Sequence, residues 1–255
     1  MDALPPRGPA PSAEGAAEEN RLLAAIEPAG RALLSPHLEP VWLRAGQVLF
    51  HPGDEVETVH FPHRRTVTSL VAVLADGRAA ETATIGREGA VGGVVSGGAK
   101  PAFCRAVVQI GGPALRLPAA RLEAAKLRSA GLRDLFARYA DALVAQVMQS
   151  VACNAVHLLE ARLCRWLLTT QDRAGSAELA LTQESLAEML GVRRTTVTPV
   201  AGALQRRGLI RYRRGRIEVV DRSGLERAAC ECHAAERRHF DCVAPGLYQP
   251  GCDAA

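Results

Sequence analysis

Short apolar runs alternate with turn residues over the first half of the chain, from Val41 to about Leu117. Runs of this length and spacing are typical of antiparallel strands in a sandwich or barrel. Asp76-Gly77 falls between two of the runs and is the strongest hairpin signal in the chain. Gly111-Gly112-Pro113 indicates another turn. The pattern therefore predicts an all-β module whose strands cover 47–50, 56–61, 67–74, 79–85 and 106–110.

Helical periodicity replaces this pattern in the second half, and a short helical pattern near 20–34 precedes the strands. No glycine or proline occurs between Gly131 and Gly175. A long helix with one apolar row commonly packs against its own copy, which predicts a dimerisation helix. The alternative is a helix pair that packs on its own domain. The apolar residues that form the row are Leu132, Leu135, Tyr139, Leu143, Val147, Val151, Leu158, Leu159, Leu163, Trp166 and Leu167.

Two short helices are predicted after residue 181. Thr182 is a suitable N-cap for the first, and Gly191 provides the left-handed residue that ends it. The second helix runs from Arg194 to Arg207, where Gly208 stops it. We expect its inward face to carry Val197, Val200 and Leu204. Two short alternating runs, 209–212 and 217–220, then flank a basic turn and predict a β-hairpin. A helix, a turn, a basic helix and a hairpin together are typical of a winged helix-turn-helix.

Composition narrows the class of protein. The chain has 255 residues, of which 48% are hydrophobic and 23% charged, so it can bury a core and is not expected to be disordered overall. No apolar stretch is long enough to span a membrane, and the N-terminus does not resemble a secretory signal. Seven cysteines spread thinly along the chain indicate reduced thiols in a cytoplasm.

The charge distribution indicates a polyanionic partner more clearly than the net charge of +4 does. Eight arginines and no acidic residue occur between Gly191 and Ile217. Such a one-sided stretch is frequently a phosphate-binding surface, although a solvated basic helix face is the alternative. The sequence contains no Gly-x-Ser-x-Gly, His-Glu-x-x-His or dinucleotide motif, and we predict no enzyme activity and no cofactor.

The chain resembles a known family in both halves. The run from Leu181 to Thr198 (Leu-Thr-Gln-Glu-Ser-Leu-Ala-Glu-Met-Leu-Gly-Val-Arg-Arg-Thr-Thr-Val-Thr) resembles the winged helix-turn-helix of Crp/Fnr-type bacterial transcription regulators. Residues 162–168 are similar to the helix that opens that domain. Residues that resemble the family's cyclic-nucleotide-binding-like β-roll are Gly46, His51-Pro52-Gly53-Asp54, Phe61, Asp76-Gly77 and Gly86-Arg87-Glu88-Gly89.

This resemblance implies an α+β fold with an N-terminal antiparallel β-roll, a long dimerisation helix and a C-terminal winged helix-turn-helix. It implies a transcription regulator that binds a near-palindromic site on double-stranded DNA as a homodimer, with RNA polymerase and a small-molecule effector as further partners. The expected segments are a disordered tail 1–19, a β-roll domain 20–130, a dimerisation helix 131–157, a DNA-binding domain 158–225 and an extension 226–255.

The resemblance also implies roles for individual residues. Arg194 falls on the base-contacting arginine of the family, and Thr195 and Thr198 on neighbouring groove-facing positions. Pro199 departs from the family pattern, which often has a basic or small residue at this position. A proline here removes one helical hydrogen bond and can kink the helix, which affects the base contacts expected beyond Thr198. The full set of expected DNA contacts is Thr182, Gln183, Arg193, Arg194, Thr195, Thr196, Thr198, Arg213, Arg214 and Arg216, of which Arg193 and the last three are assigned to phosphates by spacing.

The expected effector pocket contains Gly89, Ala90 and Arg105. Family members that bind cyclic AMP carry a glutamate where this chain has Ala90, and their phosphate-binding arginine lies one position before Arg105. Because side chains alternate along a strand, Arg105 is expected on the opposite face. Cyclic AMP is therefore not the expected effector. A receptor for a cyclic nucleotide or another small ligand, without DNA output, is one alternative function.

The cysteines raise a second alternative. The chain has no cysteine before Cys104, so the N-terminal iron–sulfur cluster of the oxygen-sensing branch is not expected. Cys230, Cys232, Cys242 and Cys252, together with His233, could form a thiol- or zinc-responsive switch. The Cys-x-Cys spacing lacks the usual two-residue knuckle, so we predict ordinary thiols on a closing helix and no metal site.

Overall fold

The computed structural model describes residues 19–93 and 101–248. The predicted tail falls outside these ranges except for its last residue, and so does Cys252. The N-terminal part begins with helices α1 (Arg21–Ala24) and α2 (Pro28–Leu34) and a 3₁₀ turn at Ser35–His37. The strands that follow are β1 (Glu39–Leu43), β2 (Val48–Phe50), β3 (Thr58–Pro62), β4 (Val67–Val73), β5 (Ala79–Ile85), β6 (Arg105–Ile110) and β7 (Gly112–Pro118).

These strands form two antiparallel sheets, with the orders β1-β7-β3 and β2-β6-β4-β5. The predicted antiparallel module is therefore confirmed, and the five predicted runs correspond to β2 through β6. The hairpin at Asp76-Gly77 is also present, since Val73 pairs with Ala79 and Gly77 has a φ of +83°. A left-handed residue at this point is what a tight hairpin turn requires.

The sequence pattern missed β1 and β7. Gly112 and Pro113 were predicted to form a turn, and this is wrong, because both residues belong to β7. Pro113 pairs only with β1, whereas the pairing of β7 with β3 begins at Ala114. Because β7 is paired on only one side at Pro113, the N–H that proline lacks does not interrupt hydrogen bonding to two neighbouring strands. Pro40 is tolerated in β1 because β1 lies at the sheet edge.

Three helices follow the sheets: α3 (Ala119–Arg128), α4 (Ala130–Val156) and α5 (Leu159–Ala174). The Ser129 side chain caps α4 by accepting a hydrogen bond from Leu132 N–H. The helical periodicity continues past residue 157, but the chain is extended at His157, with φ −101° and ψ 146°. Within the described ranges, no helix is long and apolar enough to cross a membrane.

The N-terminal part of the predicted dimerisation row packs on its own domain. Leu132, Leu135 and Tyr139 are buried in a core that also contains Phe61 and Leu117, and Leu143 is buried against the second sheet. The prediction that these residues form the dimer seam is wrong, and the helix-pair alternative describes them better. An exposed row on α4 shares only Val151 with the predicted one and consists of Val144, Met148 and Val151.

The C-terminal part contains a second core and returns to the first. Its elements are β8 (Glu178–Leu179), α6 (Gln183–Met189), α7 (Arg194–Arg206), β9 (Ile210–Arg213), β10 (Arg216–Val219), α8 (Arg222–Ala228) and α9 (Cys232–Val243). Helix α5 packs with α6 and α7, and the three-stranded sheet has the order β8-β10-β9. Helix α9 then packs along α4, and Phe240, Leu247 and Tyr248 enter the N-terminal core.

A buried guanidinium joins the two parts of the chain. Arg173 on α5 donates from Nε to Glu88 Oε1 at 3.0 Å and from Nη2 to Glu236 Oε1 at 2.8 Å. It also donates to the Tyr248 hydroxyl at 3.1 Å. Burial alone would lower the pKa of Arg173, but Tyr248, Glu88 and Glu236 raise it above its ordinary range. The three ionised side chains are at most 3% exposed, so each depends on the others for its charge.

The Gly-Arg-Glu-Gly stretch of the β-roll is the surface against which the helices dock. A Cβ on Gly86 would lie 2.6 Å from the Cβ of Arg173, and a Cβ on Gly89 would lie 2.1 Å from the Tyr139 hydroxyl. Both glycines are needed because α5 and α4 approach the backbone here without room for a side chain.

Replacing Arg173 by methionine is expected to lower the free energy of unfolding by about 3–5 kcal/mol, because two buried carboxylates lose their counterion. Urea unfolding followed by circular dichroism measures this loss. Arg78→Met is the matched control, since the Arg78–Asp76 pair is exposed to water and its loss is expected to change the stability much less. Equal losses in the two variants would contradict the role given to Arg173.

Candidate nucleic-acid interface

Helix α6 begins with a reciprocal cap. The Thr182 hydroxyl accepts from Ser185 N–H at 3.1 Å, and the Ser185 hydroxyl accepts from Thr182 N–H at 3.0 Å. Two of the orphan N–H groups at the helix start are thereby satisfied. Thr182 therefore acts as the N-cap that the sequence predicts, and its two hydrogen bonds with Ser185 fix its position at the start of α6.

A tight turn leads from α6 to α7. Gly191 has a φ of +66°, and Val192 N–H donates to Ala187 C=O at 2.9 Å. Helix α7 then buries Val197 and Leu204 against α6 and α5, as predicted. The third buried residue is Ala201, whereas Val200 is only half-buried. The buried face leaves the opposite face and the N-terminal end of α7 toward solvent.

The predicted contact residues on the two helices lie on this solvent side. Gln183 is half-buried, and its Oε1 accepts from the Thr198 hydroxyl at 2.9 Å, which joins the starts of α6 and α7. The Thr198 hydroxyl also contacts the Arg194 carbonyl oxygen at 3.0 Å. The exposed members of the predicted set here are Thr182, Arg193, Arg194, Thr195, Thr196 and Thr198.

The hairpin beside α7 has the form of a wing. Strands β9 and β10 pair antiparallel, and Arg213 lies opposite Arg216. The two turn residues both have positive φ, +46° at Arg214 and +75° at Gly215. This is the pattern of a type I′ turn, which favours asparagine or glycine at the position that Arg214 occupies. An arginine in the left-handed region is strained, so the tip carries a charge at some cost in stability.

The arginines of this surface differ in their partners. Arg216 pairs with Glu178 Oε1 at 2.5 Å, and Arg211 pairs with Glu218 Oε2 at 2.6 Å. Sequence reasoning did not identify Glu178, because β8 is only two residues long and lies far from the wing in sequence. The other basic residues of this surface form no ion pair with the residues that the structure describes. They are Arg193, Arg194, Arg213 and Arg214.

Pro199 lies inside α7, and the helix continues through it to Arg206. Proline removes the hydrogen bond that residue 199 would donate one turn back, to Thr195 C=O. The Pro199 side chain is exposed, so its ring does not disturb the buried face formed by Val197 and Ala201. The proline therefore does not end the helix.

The three residues of the predicted effector pocket have different surroundings. Ala90 is buried, and its N–H donates to the Tyr139 hydroxyl at 3.1 Å, next to Gly89. Arg105 instead forms an ion pair with Glu188 on α6. A second contact between the β-roll and α6 joins Gln109 Nε2 to Met189 Sδ at 3.1 Å. Arg105 thus belongs to the contact between the β-roll and the helix-turn-helix.

Comparisons with known proteins agree with this architecture. The model of the Crp-like helix-turn-helix domain matches residues 161–228. A putative transcriptional regulator of the Crp/Fnr family from Eubacterium rectale has 18% identity and a TM-score of 0.62, with 81% of this chain and 96% of that chain covered. FixK2 from Bradyrhizobium japonicum has 18% identity and a TM-score of 0.64, with 76% and 98% covered.

A Crp/Fnr family regulator from Thermus thermophilus has 24% identity and a TM-score of 0.60, with 75% of this chain and 98% of that chain covered. At these identities the similarities establish the fold. No curated protein matches the sequence. The predicted combination of an N-terminal antiparallel module, long helices and a C-terminal helix-turn-helix is therefore confirmed.

Arg214→Asn is expected to raise the free energy of unfolding by about 1 kcal/mol, because asparagine tolerates the left-handed conformation of this turn position better than arginine does. Thermal or urea unfolding measures the gain. Arg213→Asn removes the same charge from an ordinary strand position and is expected to be neutral or slightly destabilising. A gain in both variants would show that charge repulsion, rather than backbone strain, is what the substitution relieves.

Proposed function

We propose that this chain, which carries a Crp-like helix-turn-helix domain in the fold of the Crp/Fnr transcription regulators, binds a near-palindromic DNA site as a homodimer. The observation that carries the proposal is the arrangement of α7 and the wing. Arg193 and Arg194 lie at the exposed N-terminal end of α7, and Arg213 and Arg214 lie in the wing, where Gly215 approaches Thr182 at the start of α6. None of these four arginines has an ion pair among the described residues. Such an end is the part of a recognition helix that enters the major groove.

The individual roles follow from position. Arg194 is the first residue of α7 and is assigned to a base edge, since arginine binds guanine O6 and N7 with two hydrogen bonds. Thr195 and Thr198 lie at the same exposed end of α7, and Thr196 lies beside them. Phosphate contacts are assigned to Thr182 and Gln183 at the start of α6, and to Arg193, Arg213 and Arg214. Arg216 is assigned to a phosphate as well, after its ion pair with Glu178 breaks.

The dimer is proposed to form along the exposed row of α4. Val144, Met148 and Val151 are 52%, 67% and 64% exposed and are spaced by four and three residues. This spacing is that of a coiled-coil seam. A monomer that left this row in water would expose a continuous apolar strip, and a second copy of α4 is the symmetric way to cover it.

The protein is proposed to act in the cytoplasm as a regulator rather than an enzyme. Cyclic AMP is not the proposed effector, since the ribose-binding glutamate is replaced by buried Ala90 and Arg105 is engaged by Glu188. An effector that loosens or tightens the contact between Arg105 and Glu188 would reach α6 directly. The proposed contact with RNA polymerase rests only on the similarity of this fold to that of Crp/Fnr transcription regulators.

Arg194→Ala is expected to weaken binding to the preferred DNA site by about 1–3 kcal/mol and to flatten the preference at one base per half-site. Selection from a random duplex pool identifies the site, and titration at several salt concentrations measures affinity. Arg214→Asn should instead weaken all sequences alike and reduce the salt slope by about one. Arg116→Ala, on the distant β1–β7 sheet, is the control. Equal losses on specific and random DNA in Arg194→Ala would assign Arg194 to a phosphate.

The double variant Met148→Glu, Val151→Glu is expected to be monomeric, because four carboxylates would meet across a two-fold seam. Light scattering after size-exclusion chromatography measures the mass. The wild-type chain is expected to be dimeric in the same experiment. A matched control places glutamate at the exposed apolar residue Trp42, away from α4. A dimer that survives the double variant would place the interface elsewhere.

A further inference from the structure

Four potential metal ligands meet where α4 ends. Cys153 and His157 come from the last turn of α4, and Cys230 and Cys232 come from the junction between α8 and α9. Their ligand atoms all lie within 4.8 Å of one another. The Sγ atoms of Cys153 and Cys230 are 3.5 Å apart, and Cys232 Sγ lies 3.5 Å from Nδ1 of His157. Within the described residues, this is the one group of at least three such side chains that could hold a metal ion.

The backbone brings these side chains together in a simple way. Cys153 and His157 are four residues apart, so they lie on the same face of a helix. Helix α9 packs along α4, and Cys232 is its first residue. Cys153 and Cys232 are buried, whereas Cys230 and His157 are half-buried. The cluster is thus enclosed on one side and accessible to an entering ion on the other.

The spacing fits one tetrahedral ion. Zinc binds sulfur at about 2.3 Å and imidazole nitrogen at about 2.0–2.1 Å, which places neighbouring ligand atoms of a tetrahedron about 3.5–3.8 Å apart. The two measured distances of 3.5 Å agree with this value. A cluster of two or more irons distributes its ligands over separate metal atoms and would need wider spacing. Three thiolates and one imidazole are also a ligand set that structural zinc sites use.

The surroundings of the four ligands are those of a metal site. Glu231 Oε1 lies 3.4 Å from Nε2 of His157, on the ring nitrogen opposite the cysteines. A carboxylate in this position fixes the tautomer that presents Nδ1 to a metal. Gln149 Nε2 donates to Cys232 Sγ at 3.0 Å, as a thiolate ligand requires. Arg165 is 5% exposed and has no partner for its Nε. Glu236 and Glu81 act on its charge as well as Cys153 and Cys230, and an anionic metal site would add to this stabilisation.

We propose that Cys153, Cys230, Cys232 and Nδ1 of His157 bind one zinc ion in a closed tetrahedral site. Binding releases the three thiol protons to solvent, and the site of one Zn²⁺ and three thiolates carries a net charge of −1. The sequence alternative placed Cys242 and His233 beside Cys230 and Cys232. Cys242 is exposed and outside the cluster, and His233 Nε2 instead contacts Asp172 Oδ2 at 2.8 Å.

The position of the site gives the ion a consequence, which rests on the proposed function. His157 is the residue at which α4 ends, and Cys230 follows the last helix of the DNA-binding domain. The ligands therefore bracket that domain in sequence. An ion bound to both ends would strengthen the link between the dimerisation helix and the helix-turn-helix, beside the contacts of Arg173 and Trp166. Loss of the ion would weaken this link and so alter how firmly the spacing of the two recognition helices is held.

The test uses the full-length protein purified under reducing conditions, and elemental analysis measures its zinc content. We expect one zinc per chain in the wild-type protein. Cys230→Ser is expected to lower zinc affinity by more than about 100-fold, since loss of a ligand exceeds the 10- to 100-fold effect typical of an outer-shell partner. Cys230 is half-buried, so this variant is expected to fold, and circular dichroism checks that it does. Cys242→Ser, at an exposed cysteine of the neighbouring helix α9, is the matched control and should keep its zinc.

Two further measurements identify the ligands. Cobalt(II) added to the metal-free protein should give the visible absorption of a tetrahedral ion and a thiolate-to-cobalt charge-transfer band. The charge-transfer band should weaken in Cys230→Ser, and the visible absorption should change in both Cys230→Ser and His157→Gln. Glu231→Gln should keep the cobalt spectrum but weaken zinc about 10-fold. Zinc should also protect Cys153, Cys230 and Cys232 from alkylation, while Cys242 stays reactive.

A wild-type protein that neither retains zinc nor takes it up on titration would overturn the proposal. A Cys153–Cys230 disulfide that forms to the same extent with and without added zinc would also overturn it. Retention of zinc by Cys230→Ser would overturn it as well. DNA binding is measured separately on the wild-type protein with and without zinc. Failure to bind DNA in both states would reject the proposed function while the metal data still decide the site.

Discussion

The ion pairs of Arg173 are the constraint on which the arrangement of the molecule depends. A buried guanidinium is tolerated only when it is paired, and its two carboxylates come from a β-roll loop and from helix α9. One side chain of the DNA-binding part therefore requires both other parts of the chain to be in place. Trp166 adds a second link of this kind, since its Nε1–H donates to buried Glu81 Oε1 at 2.9 Å.

These links restrict how α7 can move. Helix α5 is held against the β-roll by Arg173 and Trp166, and α6 is held by the Arg105–Glu188 pair. Helix α4 packs on the same β-roll, so any movement of α7 relative to α4 must break some of these polar contacts. The backbone is extended at His157 and Leu158, between α4 and α5, and the proposed zinc site lies at this point.

The helix-turn-helix could be predicted from sequence in detail because its signals are local. The Thr182 cap, the left-handed Gly191 and the turn at Arg214-Gly215 each act within a few residues. Strand β7 could not be predicted in the same way. Its Pro113 is a turn residue by composition, and it is tolerated in the strand only because the neighbouring strand begins one residue later. That is a property of the sheet and not of the segment.

The sequence by itself determined the order of the domains, the position of the recognition helix and the basic surface, since each depends on periodicity, capping and charge along one stretch of chain. Only the tertiary structure decided which face of α4 stays exposed, because Leu132 and Leu135 are as apolar as Met148 and Val151, and burial depends on what packs against them. It also decided that Cys153 and His157 meet Cys230 and Cys232. Spacing along the chain does not predict this meeting, because it depends on α9 packing back along α4. That packing forms only when Glu236 pairs with Arg173 and Phe240 enters the N-terminal core.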